Sequence, residues 1–317
     1  MIRDKTISFT GGIKRHCDEL RRLMNGYHDL EVLPVEDVPS KYIKSIRKFK
    51  FDSQKLREYI ISSKCDIVHV HGFMSIGVVQ TINIAYALKK KVVYSPHFHP
   101  FQYLQNPIYG RLFFHILIKP ILYKIKTIVT INREDTIFFS RYHNNIKTIP
   151  HWNTHSISDS HVSKEVNSLL FVGRNDCNKG LEHLYQLSSK YKVHCVTRGP
   201  LLRKDFILHE NITDVDLERL YEQAAAVVIP SRYEAFSLVA LEALCHHTPI
   251  VISDRVRIGD YLKGDKGYEI FKYHNYKSFN EAIERIMLQK NINYEELLLP
   301  FEKEKVKREY YGIYEAN

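Results

Sequence analysis

Seven short apolar runs constrain this chain more than anything else in it. Three stand in the first half: "DIVHV" at 66–70, "KVVYS" at 91–95 and "KTIVTI" at 126–131. Four stand in the second: "SLLFV" at 168–172, "KVHCVT" at 192–197, "AVVI" at 226–229 and "PIVI" at 249–252. Most are unbroken rather than alternating, the mark of parallel strands covered on both faces. Helical patterns lie between them, at 13–25, 53–63, 75–88, 180–190, 214–225 and 236–246. Strand–helix alternation twice over predicts two doubly wound α/β domains.

A length of 317 residues accommodates two such domains. The break falls at 151–166, "HWNTHSISDSHVSKEV", which is polar and without periodicity. The predicted division is a first domain at 1–152, a linker at 153–166 and a second domain at 167–317. The charged, helix-patterned end at 293–316 is a candidate to pack back on the first domain. No internal repeat or low-complexity tract interrupts this plan.

Charge is unevenly shared. Residues 1–165 carry 25 Lys and Arg against 14 Asp and Glu, a net of +11, while the remainder carries −1. A basic first half is either a solubilising surface or one that meets something anionic: nucleic acid, a membrane surface or a phosphorylated acceptor. The five cysteines (Cys17, Cys65, Cys177, Cys195 and Cys245) are scattered and never form a CxxC pair. That argues against a zinc ribbon or disulfide framework and for a reducing compartment. Met1 to Thr10 lacks the apolar stretch of a signal peptide. No run reaches the roughly 18 apolar residues a membrane span needs.

Two loops could carry chemistry. In "LLFVGRNDCNKGLEHL", 169–184, a strand ends at Gly173, and Arg174 and Lys179 precede a helix. Ligands of parallel α/β domains sit at strand carboxyl ends near helix N-termini, where two cations and backbone N–H groups suit phosphate. An ordinary basic loop would read the same way, and neither a P-loop nor GxGxxG is present. In "SRYEAFSLVALEAL", 231–244, Glu234 and Glu242 stand with seven residues between them, nearly all apolar. A helix starting near Phe236 or Ser237 would offer the first-turn amides of Phe236, Ser237 and Leu238 to an anion. Its acids would accept hydrogen bonds from vicinal hydroxyls. Phosphate donors beside hydroxyl acceptors suit a nucleotide-sugar. The plainer alternative makes Glu234 a cap and Glu242 a surface residue.

The first half holds weaker signals. Gly11 and Gly12 precede a helix, where paired glycines permit close backbone approach to a ligand or simply form a turn. His69, His71, His97 and His99 lie at or just past strand ends. Without an accompanying carboxylate cluster, hydrogen bonding to substrate is the better reading than metal ligation, and His69 also reads as a core residue. "DVD" at 214–216 looks like a metal–diphosphate motif, but helix N-capping by Asp214 accounts for it.

Taken together, the Glu–seven–Glu spacing, "FVGRNDCNKG", "DIVHVHG", "PHFHP" and "GG" before the first helix resemble, in order and spacing, the retaining glycosyltransferases of family 4, the glycosyl transferases group 1. The resemblance covers the whole chain. It implies the GT-B fold, two Rossmann-like domains facing each other across a cleft. It also implies roles. Arg174 and Lys179 would hold the donor diphosphate and stabilise the leaving group. Glu234 would contact the transferred sugar, and Glu242 the ribose hydroxyls. The amides of Phe236, Ser237 and Leu238 would complete the sugar and phosphate site. Gly12, with Gly11, would approach the diphosphate, and His97, ahead of His99, would stand at the reacting face. No metal and no cofactor are implied beyond a UDP- or GDP-sugar co-substrate, because protein cations would do the electrostatic work.

The implied activity is transfer of a hexose-type sugar, with retention, to a glycan or lipid-linked acceptor in cell-surface polysaccharide or glycolipid synthesis. The implied setting is cytoplasmic, peripheral on the inner membrane face. The basic, apolar stretch 111–126, "RLFFHILIKPILYKIK", suits an anionic membrane surface as well as it suits a core helix with basic ends. The chain departs from the family in three places. Only ten residues precede Gly11, so either "KTISF" is the first strand or that strand is missing. "PHWN" at 150–153 and "DRVRIGD" at 254–260 replace the usual Asn-Gly and Gly-rich turns. Two other classes compete: an α/β nucleotide-binding oxidoreductase, which lacks its GxGxxG, and a basic nucleic-acid-binding protein, which lacks any recognition signature.

Overall fold

The computed structural model describes residues 2–3, 12–28, 30–31, 40–43, 48–73, 75–97, 107–154 and 163–316. The chain divides into two compact units, one of residues 1–151 with 303–317, the other of residues 152–302. The predicted "KTISF" strand, Gly11 and His99 lie outside the described residues.

The first unit holds a parallel sheet in the order β1 (Ile2–Arg3), β4 (Ile67–His71), β5 (Lys91–Ser95), β6 (Thr127–Thr130) and β7 (Ile146–Thr148). An antiparallel hairpin, β2 (Ser40–Ile43) with β3 (Lys48–Phe51), stands apart from it. The helices are α1 (Gly12–Met24), α2 (Ser53–Ser62), α3 (Ile76–Ala87), α4 (Pro107–Phe113), α5 (Arg133–Phe139) and, from the far end of the chain, α10 (Lys303–Glu315). Strand period two divides β4 between two faces. Val68 and Val70 enter the core with Leu56 and Ile60 of α2 and Val78 and Ile82 of α3. His69 and His71 turn the other way, toward His16 of α1 and Tyr314 of α10. Helix α4 does not continue as one α-helix. A π-helical turn at Phe114–Ile118 and a 3₁₀ segment at Lys119–Lys124 follow it. Pro120 is the local cause: its nitrogen donates no hydrogen bond and its ring crowds the carbonyl four residues back.

The second unit holds a six-stranded parallel sheet: β8 (Ser168–Val172), β9 (Lys192–Val196), β10 (Ile207–His209), β11 (Ala226–Ile229), β12 (Ile250–Ser253) and β13 (Tyr268–Phe271). Its spatial order is β10-β9-β8-β11-β12-β13, so the chain winds outward from β8 first one way and then the other. That is the doubly wound Rossmann order, whose crevice lies beyond the carboxyl ends of the two central strands, here β8 and β11. Helices α6 (Asp214–Gln223), α7 (Leu238–Cys245), α8 (Tyr276–Leu288) and α9 (Tyr294–Leu298) complete it.

Two predicted helices change. The 180–190 pattern yields only a short 3₁₀ helix, Leu181–Gln186, because Gly180 enters it left-handed and Leu187 is already extended. At 213–216 the cap is Thr213, whose hydroxyl accepts from the Asp216 N–H, so Asp214 is the first helical residue and not the cap.

Candidate functional site

The loops leaving β8 and β11 meet at the switch point of the second unit. Asp176 folds the first loop on itself, its Oδ1 accepting from the amides of Asn178 at 3.0 Å and Lys179 at 3.2 Å. Gly180 has φ +69°, and a Cβ placed there would stand 2.0 Å from the Pro230 carbonyl oxygen. Only glycine permits both the left-handed turn and that approach. The loops are then stitched together: the Arg232 N–H donates to the Asn178 carbonyl at 2.7 Å, and the Asn178 amide to the Tyr233 carbonyl at 3.2 Å.

This stitching brings Lys179 and Glu234 together. Lys179 Nζ lies 2.8 Å from Glu234 Oε1, and Ser231 Oγ donates to the same oxygen at 2.5 Å. Both charged side chains are largely buried, at 20% and 14% exposure, so either would be costly to leave alone. The Glu234 backbone is fixed as well. Its N–H donates to the Arg255 carbonyl and its carbonyl accepts from the Arg257 N–H, forming a parallel bridge with Val256. "DRVRIGD" is therefore the segment that holds Glu234. Arg174 is placed differently: its guanidinium is 78% exposed and 3.0 Å from Asp176 Oδ2.

Helix α7 begins later than its sequence pattern predicts. Ser237 is the cap, its Oγ accepting from the Ala240 N–H at 3.3 Å, and Leu238 is the first helical residue. The first-turn amides are therefore those of Leu238, Val239 and Ala240 rather than Phe236 and Ser237. Phe236 is a core residue beside Tyr261 and Phe301. Glu234 is no cap either, since it precedes the helix by a turn of chain. Glu242 is half-buried and accepts from the hydroxyl of Tyr221, on α6, at 3.0 Å. The seven residues between the two acids thus contain a loop, a cap and the first turn of a helix. Lys179, Glu234, Ser237 and Leu238 come to the carboxyl end of the sheet, and Glu242 stands one turn farther along α7. Ser231 and Tyr221, which orient the two acids, carry no spacing signal that sequence reading could use.

The first unit assembles a second cluster. His16 from α1, His69 and His71 from β4, His97 after β5 and His151 are all packed together. His71 Nδ1 lies 2.9 Å from His97 Nε2, and His16 Nδ1 lies 3.0 Å from His151 Nδ1. His69 is satisfied by the Tyr314 hydroxyl and Ser95 Oγ, each at 2.8 Å. His97 takes φ +52°, a left-handed conformation that costs a non-glycine residue about 1 kcal/mol or more. Burial first, then the neighbouring imidazole of His151, holds His97 down at about 3. Burial, with Arg15 adding to it, holds His151 at about 4. Burial likewise carries His16, His69 and His71 well below the ordinary histidine range. At neutral pH these rings are uncharged. Gly12 is the first residue of α1, four positions before His16. His16 and His151 escape sequence reading because 135 residues separate the pair.

The second unit has a family match. Residues 154–298 fit the family model "Glycosyl transferases group 1". They form a glycosyl transferases group 1 domain. The loops and acids described above all lie inside it. Beyond the domain, the chain is 25% identical over 274 residues to an uncharacterized 41.2 kDa protein in the cps region of Klebsiella pneumoniae, covering 70% of this chain and 73% of that one. It is 33% identical over 110 residues to an uncharacterized glycosyltransferase of Methanocaldococcus jannaschii, covering 29% and 28% of the two chains. Among solved structures it is similar to the lipopolysaccharide outer core galactosyltransferase WaaB, with a TM-score of 0.70 and 13% identity over 100% of this chain and 99% of that one. Likeness at that identity shows the fold, which is GT-B: two parallel-sheet, Rossmann-like domains.

Proposed function

We propose that this chain is a retaining glycosyltransferase that moves a hexose-type sugar from a nucleotide-diphosphate donor to a glycan or lipid-linked acceptor. The observation that carries the reading is the meeting of Lys179, Glu234 and the α7 N-terminus at the switch point of a glycosyl transferases group 1 domain, with Glu242 one turn farther along that helix. The Lys179 ammonium and the Arg174 guanidinium supply positive charge for a diphosphate, and the leading amides of α7 add to it. Glu234 and Glu242 accept hydrogen bonds from sugar and ribose hydroxyls. Protein cations stabilise the leaving group, so the transfer needs no metal. Attack from the leaving group's own face retains configuration without a side-chain nucleophile. His97 of the first unit is assigned to the reacting face, and Gly12 with Gly11 to the diphosphate, by family resemblance.

Polysaccharide or glycolipid synthesis is the favoured setting, supported by the cps-region relative and by the lipopolysaccharide enzyme of like fold. A cytoplasmic, membrane-peripheral location follows from the same reading. Ile108, Leu112, Ile116 and Tyr123 are exposed among Arg111, Lys119 and Lys124, which suits attachment to an anionic bilayer.

A thermal-shift screen of UDP-, GDP- and ADP-sugars tests the donor. One donor class should raise Tm selectively, by linkage worth about 2.7 kcal/mol at a hundred times its Kd. Arg174→Ala and Glu242→Ala should abolish that rise and keep the unliganded Tm close to its starting value. A protein that no nucleotide-sugar stabilises, and that binds DNA in a salt-dependent way, would sink the proposal in favour of the nucleic-acid reading.

A further inference from the structure

We infer that His16, His71 and His97 form a transition-metal site of the zinc class within the first unit. The inference stands on that unit alone and does not depend on glycosyl transfer.

One ligand atom from each of these three residues lies within 4.8 Å of the others. Three imidazoles around a tetrahedral zinc at about 2.0–2.1 Å put their nitrogens roughly 3.4 Å apart, so a small rotation of the rings closes the set. His71 and His97 already stand nitrogen to nitrogen at 2.9 Å. Between two neutral rings a single proton can bridge that contact. A metal ion satisfies both lone pairs at once.

His71 is fully buried, and its Nδ1 is the nitrogen turned to His97. The backbone of His97 is held left-handed with its ring stacked 5.2 Å from that of His71, a strained conformation that turns a ligand into the cluster. His69 is not part of the set, because Tyr314 and Ser95 occupy both of its nitrogens. His151 contacts His16 Nδ1 and is the remaining imidazole at hand, either as fourth ligand or as the outer partner that orients His16. The nearby cation, Arg15, is tied to Glu19 at 2.8 Å. An all-nitrogen set selects zinc, nickel, copper or cobalt over magnesium and calcium, which take oxygen ligands.

The whole chain, stripped with a chelator and dialysed, is titrated with Zn²⁺ by calorimetry and with Co²⁺ by visible absorption. One equivalent should bind with a Kd below about 1 µM, and Co²⁺ should give the intense visible bands of a low-coordinate nitrogen site. His16→Gln, His71→Gln and His97→Gln should each weaken binding more than about 100-fold, while His209→Gln leaves it unchanged. His194 and His209 stand 2.9 Å apart in the second unit and are the competing site. If one variant fails to fold by circular dichroism, the other two decide the matter. Absence of stoichiometric binding overturns the inference, and so does binding that survives the three substitutions or disappears with His209→Gln.

Discussion

Gly180 shows how a single side chain's absence builds the candidate donor site. Its left-handed backbone and the 2.0 Å approach that a Cβ would make to the Pro230 carbonyl oxygen are both tolerable only without a Cβ. That contact lets the loop after β8 lie on the loop after β11, and Lys179 reaches Glu234 as a result. Gly180→Ala should therefore destabilise the second unit by about 3 kcal/mol, combining positive-φ strain with a backbone clash. The loss would be read from the urea midpoint. An unchanged midpoint would show that the loops are held by other means. Ser231 and Tyr221 act at the same range, each aiming one acid by one hydrogen bond. Their positions in the chain say nothing of this, because the partners sit on different elements.

The run from α4 through the 3₁₀ segment is apolar on two sides, which explains why its sequence reads both as core and as membrane surface. Phe113, Phe114, Ile118, Ile121 and Leu122 are buried in the first unit's core. Ile108, Leu112, Ile116 and Tyr123 face outward at 52% exposure or more. Spacing of four among the first three puts them on one stripe, and Arg111 and Lys119 flank it. Among the described residues no helix is long and apolar enough to cross a membrane. A stripe of this kind suits the surface of an anionic bilayer, as the proposed location requires. Leu112→Asp with Ile116→Asp should abolish sedimentation with vesicles rich in anionic lipid without lowering Tm, since neither side chain is in the core. Equal sedimentation of wild type and variant would reject the surface.

Among the described residues the second unit buries only His183 and His246, whereas four buried histidines and the half-buried His97 crowd into one cluster in the first unit, so acid should act on the two units unequally. The pKa values of these five clustered rings in the fold lie below the value near 6.5 of an unfolded histidine. Between those limits the unfolded chain binds more protons, and stability rises with pH. The stabilisation is complete above about pH 6.5 and is lost as pH falls toward the folded values, by up to about 1.4 kcal/mol per pH unit for each ring. Chelator-treated protein should show a urea midpoint that drops steeply from pH 6.5 to 5. His151→Gln should flatten the drop, and a midpoint independent of pH would contradict the buried, neutral cluster. Much of the architecture was legible without coordinates. Three predicted strands, 91–95, 168–172 and 226–229, match β5, β8 and β11 to the residue, because an unbroken apolar run of that length has few other places to go. Missed were the short edge and hairpin strands, such as β7, β10 and β13, whose half-exposed residues carry no such pattern. Residue types and their order along the chain also marked Lys179, Glu234, Glu242 and His97. Local patterning, which acts over a few residues, determined the strands, the helices and the two-sheet plan. Which side chains meet was decided by packing between distant segments: the tie of Lys179 to Glu234, the helix start at Leu238, and the pairing of His16 with His151 across 135 positions.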